Sequence, residues 1–442
     1  MKVELENLPN CMASLKIELP PERVTQEWDE VAKGFRKFAR IPGFRAGKAP
    51  QSVVEAKFRK QIQDELTRKL IGETTREAIR EKGLNVLSIS EIDDVEFTSE
   101  HGMRFTAMVI TTPEFDLPQY KGIQIKVPPA EVSETELEGA VQSLRERNAT
   151  FTDAVGKPLE QGDFAVIDYD TTLDGQPLAE AVPKAPKMLG AGKDFWIKVE
   201  EDSFLKGFSE SLLGSNTDES REFNLPVPEN YPVTELQGKT LHFRVTLKGV
   251  KQMQLPEVDD AFANQVVEGF DLARLKETVK SRLEAEKIRQ IEAAKRNQIV
   301  DRLLSSVECE LPPSYVKGEA RRIMSEIVQQ NQMRGVSEEI LRENQKDIVN
   351  AASRSAKDRV KANFILTRIA GAEGIEVNND ELKERVQELA TQYRMTPEKM
   401  RTELEEKGAL PQLREEILIG KVLDFLTSNA TIETSSEAVA SR

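Results

Sequence analysis

Ile41-Pro42-Gly43-Phe44-Arg45-Ala46-Gly47-Lys48-Ala49-Pro50 lies between two helical patterns. Two Pro and two Gly within it exclude a helix or strand interior, so the stretch reads as an exposed turn. A large apolar ring, Phe44, sits in its middle beside Arg45 and close to Lys48. The preceding helical run adds Lys33, Arg36, Lys37 and Arg40. Across residues 31–54 there are six Lys/Arg and no Asp or Glu, in a chain of formal net charge -14. Two readings follow. Either the turn is a basic, aromatic-tipped docking point for a polyanion, or it is a solvated helix end. In the second, the cations complement the helix dipole and Phe44 tucks into its own core.

At 442 residues the chain has room for roughly two to four domains. Aromatics are 6%, hydrophobics 38% and charged residues 31%, which favours long helices with narrow apolar faces over one thick core. The first ten residues carry Glu4 and Glu6 and no apolar run, and no uncharged stretch approaches the ~20 apolar residues of a membrane span. The expected location is therefore cytosolic. Cys11 and Cys309 are the only cysteines, as suits a reducing compartment, and His101 and His242 are the only histidines. With no Cys/His cluster, no G-x-G-x-x-G turn and no Walker-type loop, neither a metal, a nucleotide nor another cofactor is expected.

Working outward from the turn, residues 1–112 read as a first, α+β unit. Val3, Leu5, Ala13, Leu15, Ile17 and Leu19 alternate with polar residues as in one half-buried strand. Helices are predicted over 22–39 and 51–82, with Gly83 as a stop, and strands over 91–97 and 103–111. This unit holds 18 Lys/Arg against 18 Asp/Glu, so the acidity lies downstream. Residues 113–150 read as a linker packing on the helical domain. It has an extended piece over 122–127 and a helix opened by the capping box Ser133-Glu134-Thr135-Glu136. Residues 151–250 form a small sheet with strands over 164–172, 221–225 and 240–248. Asp174-Gly175 is a hairpin turn, 177–192 a mobile flap, and 203–213 one short helix. Residues 251–430 are nearly all helix. Asp271, Ser314, Ser337 and Thr396-Pro397 are helix starts, further helices begin near Asn379 and at Pro411, and the first helix runs to about Val307. Residues 431–442 are expected to be a disordered tail.

Gly43-Phe44-Arg45-Ala46-Gly47-Lys48-Ala49-Pro50 closely resembles the ribosome-binding motif of the bacterial trigger factor family. The resemblance extends over the whole chain, through Leu255-Pro256 and the Leu311-Pro312-Pro313-Ser314 break. It implies a multidomain α+β protein, with an α+β ribosome-binding domain, an FKBP-like β-rich domain and an all-helical C-terminal domain with arms. The implied function is a chaperone that binds nascent and unfolded polypeptides at the tunnel exit of the large ribosomal subunit, touching both ribosomal protein and rRNA. Gly43, Phe44, Arg45 and Lys48 are the implied docking residues. A homodimer off the ribosome is left open, and neither membrane nor DNA is an implied partner. Ala46 stands where relatives often carry another basic residue.

The middle domain resembles the FKBP-type prolyl isomerases at Asp174-Gly175, Phe204-Leu205-Lys206-Gly207-Phe208, Asn230-Tyr231 and Leu236-Gln237-Gly238-Lys239. By that match Tyr169, Phe195, Leu205, Phe208, Tyr231 and Phe243 line an apolar catalytic pocket. Such a pocket needs no nucleophile. The X-Pro bond faces a barrier of roughly 20 kcal/mol from amide resonance, and an apolar surround favours the twisted, less polar amide. The Glu200-Glu201-Asp202 turn and the 179–193 stretch depart from the family, which implies a loosened rim and weak activity. Alternatively the aromatics are simply the core of a small barrel-like sheet. A free-standing prolyl isomerase, with a helical part that dimerises or recruits substrate, is the competing reading of the whole chain.

Overall fold

The apolar alternation between residues 2 and 19 is interrupted once, and the interruption is a turn. The computed structural model describes residues 1–38, 42, 44, 48–98, 102–183, 185–201, 203–231, 233–334, 336 and 338–434. In it, Lys2–Leu8 (β1) pairs antiparallel with Met12–Leu19 (β2). Asn10 and Cys11 turn the chain at φ of 62° and 57°, a region that Asn tolerates better than most residues. A hairpin thus replaces the single strand expected, because a period of two reads alike on both arms of a tight turn.

Contacts divide the chain into two units. One is Met1–Pro129 with Ile291–Arg442, and the other is Ala130–Gln290. In the first, helices α1 (Pro21–Phe38) and α2 (Gln51–Glu81) precede β3 (Val86–Thr98) and β4 (Gly102–Thr111). The four strands form one antiparallel sheet, β1-β2-β4-β3. Leu15, Ile17, Leu66 and Leu70 are wholly buried in its core with Met103 and Phe105. Each such side chain contributes ~1.5–3 kcal/mol of burial. Phe58 leaves helical geometry (φ -113°, ψ 18°), splitting α2 into two pieces. Gln51 at its start donates to Asp29 on α1 at 2.9 Å. Farther along, Arg23 forks onto Glu77 with two 2.8 Å bonds, and Lys69 meets Glu27 at 2.6 Å. The strand β5 (Gln124–Val127) follows.

In the second unit α3 (Glu134–Arg147) opens on the expected capping box. Ser133 N donates to Glu136 Oε2 at 2.8 Å, and Glu136 N donates to Ser133 Oγ at 3.3 Å. Lys287 adds a 2.7 Å bond to the same carboxylate. That cation first, and the capping bonds next, hold the Glu136 carboxyl down at about 2. Too short to stand alone, α3 buries Val141 against Phe262, Ala263 and Leu275. The sheet is wholly antiparallel. It contains β6 (Thr150–Asp153), β7 (Phe164–Leu173), β8 (Gln176–Pro177), β9 (Ala191–Lys198), β10 (Ser220–Pro226) and β11 (Thr240–Gln254). Asp174 and Gly175, both at positive φ, make the expected hairpin turn. Strands β6 and β9 were not foreseen. The expected 203–213 helix shrinks to Phe208–Leu212. The flap over 177–192 holds two one-turn helices, α4 (Leu178–Ala181) and α5 (Lys187–Gly190), before α6 (Phe208–Leu212). Leu178, Val182 and Leu189 of that segment are buried in the sheet's core, so it is packed where a loose flap was expected.

A short α7 (Asp260–Val266) precedes α8 (Leu272–Ser306), whose start Asp271 caps by accepting from Arg274 N at 2.8 Å. The helices α9 (Pro313–Met333), α10 (Glu338–Glu343), α11 (Gln345–Glu373), α12 (Asn379–Gln392), α13 (Pro397–Glu406) and α14 (Leu410–Ser428) complete the first unit. Pro313, not Ser314, begins α9, as the fixed φ of Pro suits a first helical position. Ser337 lies outside the described residues. Asn344 divides the continuous helix expected from 338 into α10 and α11. The predicted tail departs most. Thr431–Thr434 is a strand, β12, paired in parallel with β5, whereas 435–442 lie outside the described residues.

Gly102 sits at φ 76°, and a Cβ there would lie 2.1 Å from the Leu19 carbonyl oxygen and 2.8 Å from Pro20 C. Backbone cannot retreat as a side chain can. Gly102→Ala is expected to cost on the order of 3 kcal/mol through strain and clash, read as a lower urea midpoint for the unfolding of β1–β4.

Candidate functional site

The basic turn is anchored at its base and open at its tip. Ala49 and Val54 are buried with Phe35, Val53 and Phe58, the Phe35 and Phe58 rings lying 6.1 Å apart. Phe44 is outside this cluster and 43% exposed. The reading in which Phe44 fills its own core therefore fails. Along α1, Lys33 and Lys37 are exposed and Arg36 half-exposed, and Lys48 is exposed beyond the turn. Among the described residues none of these four cations is ion-paired, whereas Arg23 and Lys69 on the same two helices are. Gly43, Arg45, Ala46 and Gly47 lie outside the described residues.

The second site is the inner face of the antiparallel sheet. Strand alternation points Tyr169 of β7 and Phe243 of β11 inward, and β9 sends Phe195 in and Trp196 out. Leu205 and Phe208 arrive from the turn that opens α6, whose Gly207 takes φ 88°. Tyr169 and Phe195 meet edge-on at 5.6 Å, and Phe208 and Phe243 at 5.3 Å. Leu205 packs in the same cluster. Tyr231 packs on this core without a ring contact among the described residues. Phe204 and Phe223 join the cluster unforeseen, with Phe204 in contact with four of its rings. A turn residue has no periodicity to reveal where its side chain goes. The rim is tied down. Tyr169 donates its hydroxyl to the Met188 carbonyl, and Gly192 lies against the Tyr169 ring. Burial raises both the Tyr169 and Tyr231 hydroxyls above the usual phenol range, so the face stays uncharged.

Family models match along the chain in three segments. Residues 1–144 match the bacterial trigger factor protein (TF), 156–248 the FKBP-type peptidyl-prolyl cis-trans isomerase, and 271–428 the bacterial trigger factor protein C-terminus. The chain belongs to the bacterial trigger factor family. A trigger factor of Akkermansia muciniphila is 35% identical over 99% of this chain and 100% of its own. One of Halothermothrix orenii is 30% identical over 97% and 99%. A solved structure described as "Promiscuous Substrate Recognition in Folding and Assembly Activities of the Trigger Factor Chaperone" aligns with a TM-score of 0.48 at 20% identity, over 97% of this chain and 99% of that one. As a trigger factor family member the chain is a ribosome-associated chaperone whose FKBP-type domain is a peptidyl-prolyl cis-trans isomerase. The full-length match favours this over a free-standing isomerase. Among the described residues, no helix is long and apolar enough to cross a membrane.

A Cβ on Gly192 would lie 2.5 Å from Tyr169 Cε1. Gly192→Ala is expected to push the ring off the rim at a cost of ~1–3 kcal/mol. Hydrogen exchange of the β7 and β9 amides should accelerate accordingly, relative to those of β10.

Proposed function

We propose that the 41–50 turn docks this chaperone on the large ribosomal subunit through Gly43, Phe44, Arg45 and Lys48. Contacts with both rRNA and ribosomal protein would lie beside the tunnel exit. The observation that carries the reading is an exposed Phe44 next to cations without acidic partners among the described residues. Lys33, Lys37 and Lys48 suit phosphate as point charges, Arg45 suits it as a fork, and Phe44 suits an apolar crevice or a base face. A protein docked there works in the cytoplasm. Client chains are held on the helices of the first unit, where Tyr315, Met333, Val349 and Tyr393 are exposed singly among polar residues. Scattered apolar contacts bind weakly, and a client must leave to fold. The functional division proposed is 1–112 for docking, 113–150 as linker, 151–250 for isomerisation, 251–430 for holding and 431–442 as tail.

Phe44→Ala with Arg45→Ala is expected to abolish co-sedimentation with ribosomes in moderate salt while leaving the far-UV spectrum unchanged. A double variant that pellets like the parent would place docking elsewhere. Binding by the parent should weaken steeply as salt rises.

For the isomerase, Tyr169, Phe195, Leu205, Phe208, Tyr231 and Phe243 are proposed as the pocket. The buried cluster that holds them draws only on residues between 154 and 250, which supports a domain able to fold alone. Catalysis there is environmental. An apolar, uncharged surround favours the twisted amide over the planar one, and each ~1.4 kcal/mol of preference is worth tenfold in rate. With the phenols held neutral, kcat/KM should stay flat from about pH 5.5 to 9, since no proton is exchanged. A 150–254 fragment is expected to show weak activity in a protease-coupled peptide assay, lowered further by Phe208→Ala or Tyr231→Ala. A folded fragment with no rate above background would make the domain a peptide-binding module.

A further inference from the structure

Every ring that Phe204 touches is a ring assigned above to the isomerase pocket. Its centroid is 4.7 Å from Phe208, 5.4 Å from Tyr169, 5.8 Å from Phe195 and 6.2 Å from Phe243. The four hold it mostly edge-on or tilted, the geometry that aromatic rings prefer. Phe204 is not anchored like its partners. Phe208 and Phe243 are wholly buried and Tyr169 nearly so, whereas Phe204, like Phe195 on strand β9, is only partly buried. It rides on a turn, not on a strand or helix. Its φ of 71° lies in the left-handed region that side chains with a Cβ avoid. A bulky residue persists there only when something outweighs the strain, and here that is the seat its ring finds among the other four.

We infer that Phe204 is a self-occupying plug, seated where the apolar ring of a peptidyl-proline would sit, and that it sets how readily the pocket admits substrate. The inference rests on the pocket assignment above. The flanking hydrogen bonds, Ser203 N to the Glu200 carbonyl at 3.2 Å and Leu205 N to the Ser203 carbonyl at 3.0 Å, hold the turn on either side of the ring. Proline entry requires the Phe204 side chain to leave its four neighbours. If the pocket is open in a fraction of molecules, apparent substrate affinity is reduced by that fraction. The plug therefore weakens binding, and it leaves the preference of the open pocket for the twisted amide unchanged. With Leu178, Val182 and Leu189 buried, the weak activity expected above is assigned to an occupied pocket and not to a loosened rim.

The test compares the full-length protein with its Phe204→Ala and Phe204→Leu variants. Affinity for a proline-containing tetrapeptide is measured by calorimetry, and kcat/KM by a protease-coupled assay. Phe204→Ala should tighten Kd by about tenfold and raise kcat/KM by a like factor, and Phe204→Leu should fall between. The Leu variant keeps an apolar filler in case Ala loosens the fold. Unchanged or weaker binding in a folded Phe204 variant overturns the plug. Phe208→Ala separates the two ideas. If it weakens binding while the Phe204 variants also weaken it, the pocket stands and the plug falls. If it changes neither quantity, the pocket assignment fails and takes the plug with it.

Discussion

The first unit depends on the burial of two isoleucines from the connector. Ile123 and Ile125 sit among Ile299, Leu303 and Val307 of α8, Ile365 and Ile369 of α11, and Val422 and Leu426 of α14. Four stretches far apart in the chain must meet to bury them. The backbone of β5 is clamped as well. The Gln298 side chain accepts from Lys126 N at 2.9 Å and donates to Lys126 O at 2.6 Å, and β12 pairs along the strand in parallel. Charged pairs tighten the same region, with Lys121 on Glu373 at 2.7 Å and Tyr120 donating to that carboxylate at 2.7 Å. An unpaired strand in a helical body would leave backbone groups without partners, and these contacts remove that cost. Because the chain must return to this point, everything from Ala130 to Gln290 is an insertion between its two halves.

Charge is distributed with the same economy. The first 112 residues are balanced, so the excess of acid falls on the rest of the chain. Some basic residues of the helices sit beside carboxylates, as Arg322 and Arg359 do around Glu319. Among the described residues, the cations at the end of α1 and Lys48 have no such partner. An isolated surface ion pair adds little to stability, so the lack of one among the described residues costs the fold little and suits the phosphate contacts proposed above.

Much of this was legible in the sequence, for identifiable reasons. Ser133, Thr396-Pro397 and Asp174-Gly175 marked their elements because caps and tight turns depend on local chemistry, while the helix expected near Asn379 is capped by Asn378. Features set by distant partners were not readable. Thr431-Ile432-Glu433-Thr434 carries β-branched residues, but its partner strand lies at the other end of the unit. The kink at Phe58 falls inside an unbroken helical pattern. The one-turn helices of the rim are too short for periodicity, and the place of Phe204 is set by a backbone angle that its residue type disfavours. Of the candidate docking residues, Phe44 was left between an exposed tip and a buried ring, and the structure leaves it exposed. All six candidate pocket residues, Tyr169, Phe195, Leu205, Phe208, Tyr231 and Phe243, were singled out by the resemblance to a known family and not by spacing.

The contiguous core of the sheet-bearing insertion has a consequence for biogenesis. Its buried side chains all lie between Leu159 and Val250, so this part of the chain can collapse as soon as that stretch has left the ribosome that makes it. The body around Ile125 cannot, because Val422 and Leu426 follow the whole insertion in the chain. Closing so long a loop adds little entropy cost beyond that of a shorter one, but it delays the contact until α14 has been made. During that interval Ile123 and Ile125 are without their partners. A newly made copy of this chaperone is therefore itself partly folded, with its isomerase domain complete before the helical body around Ile125 exists.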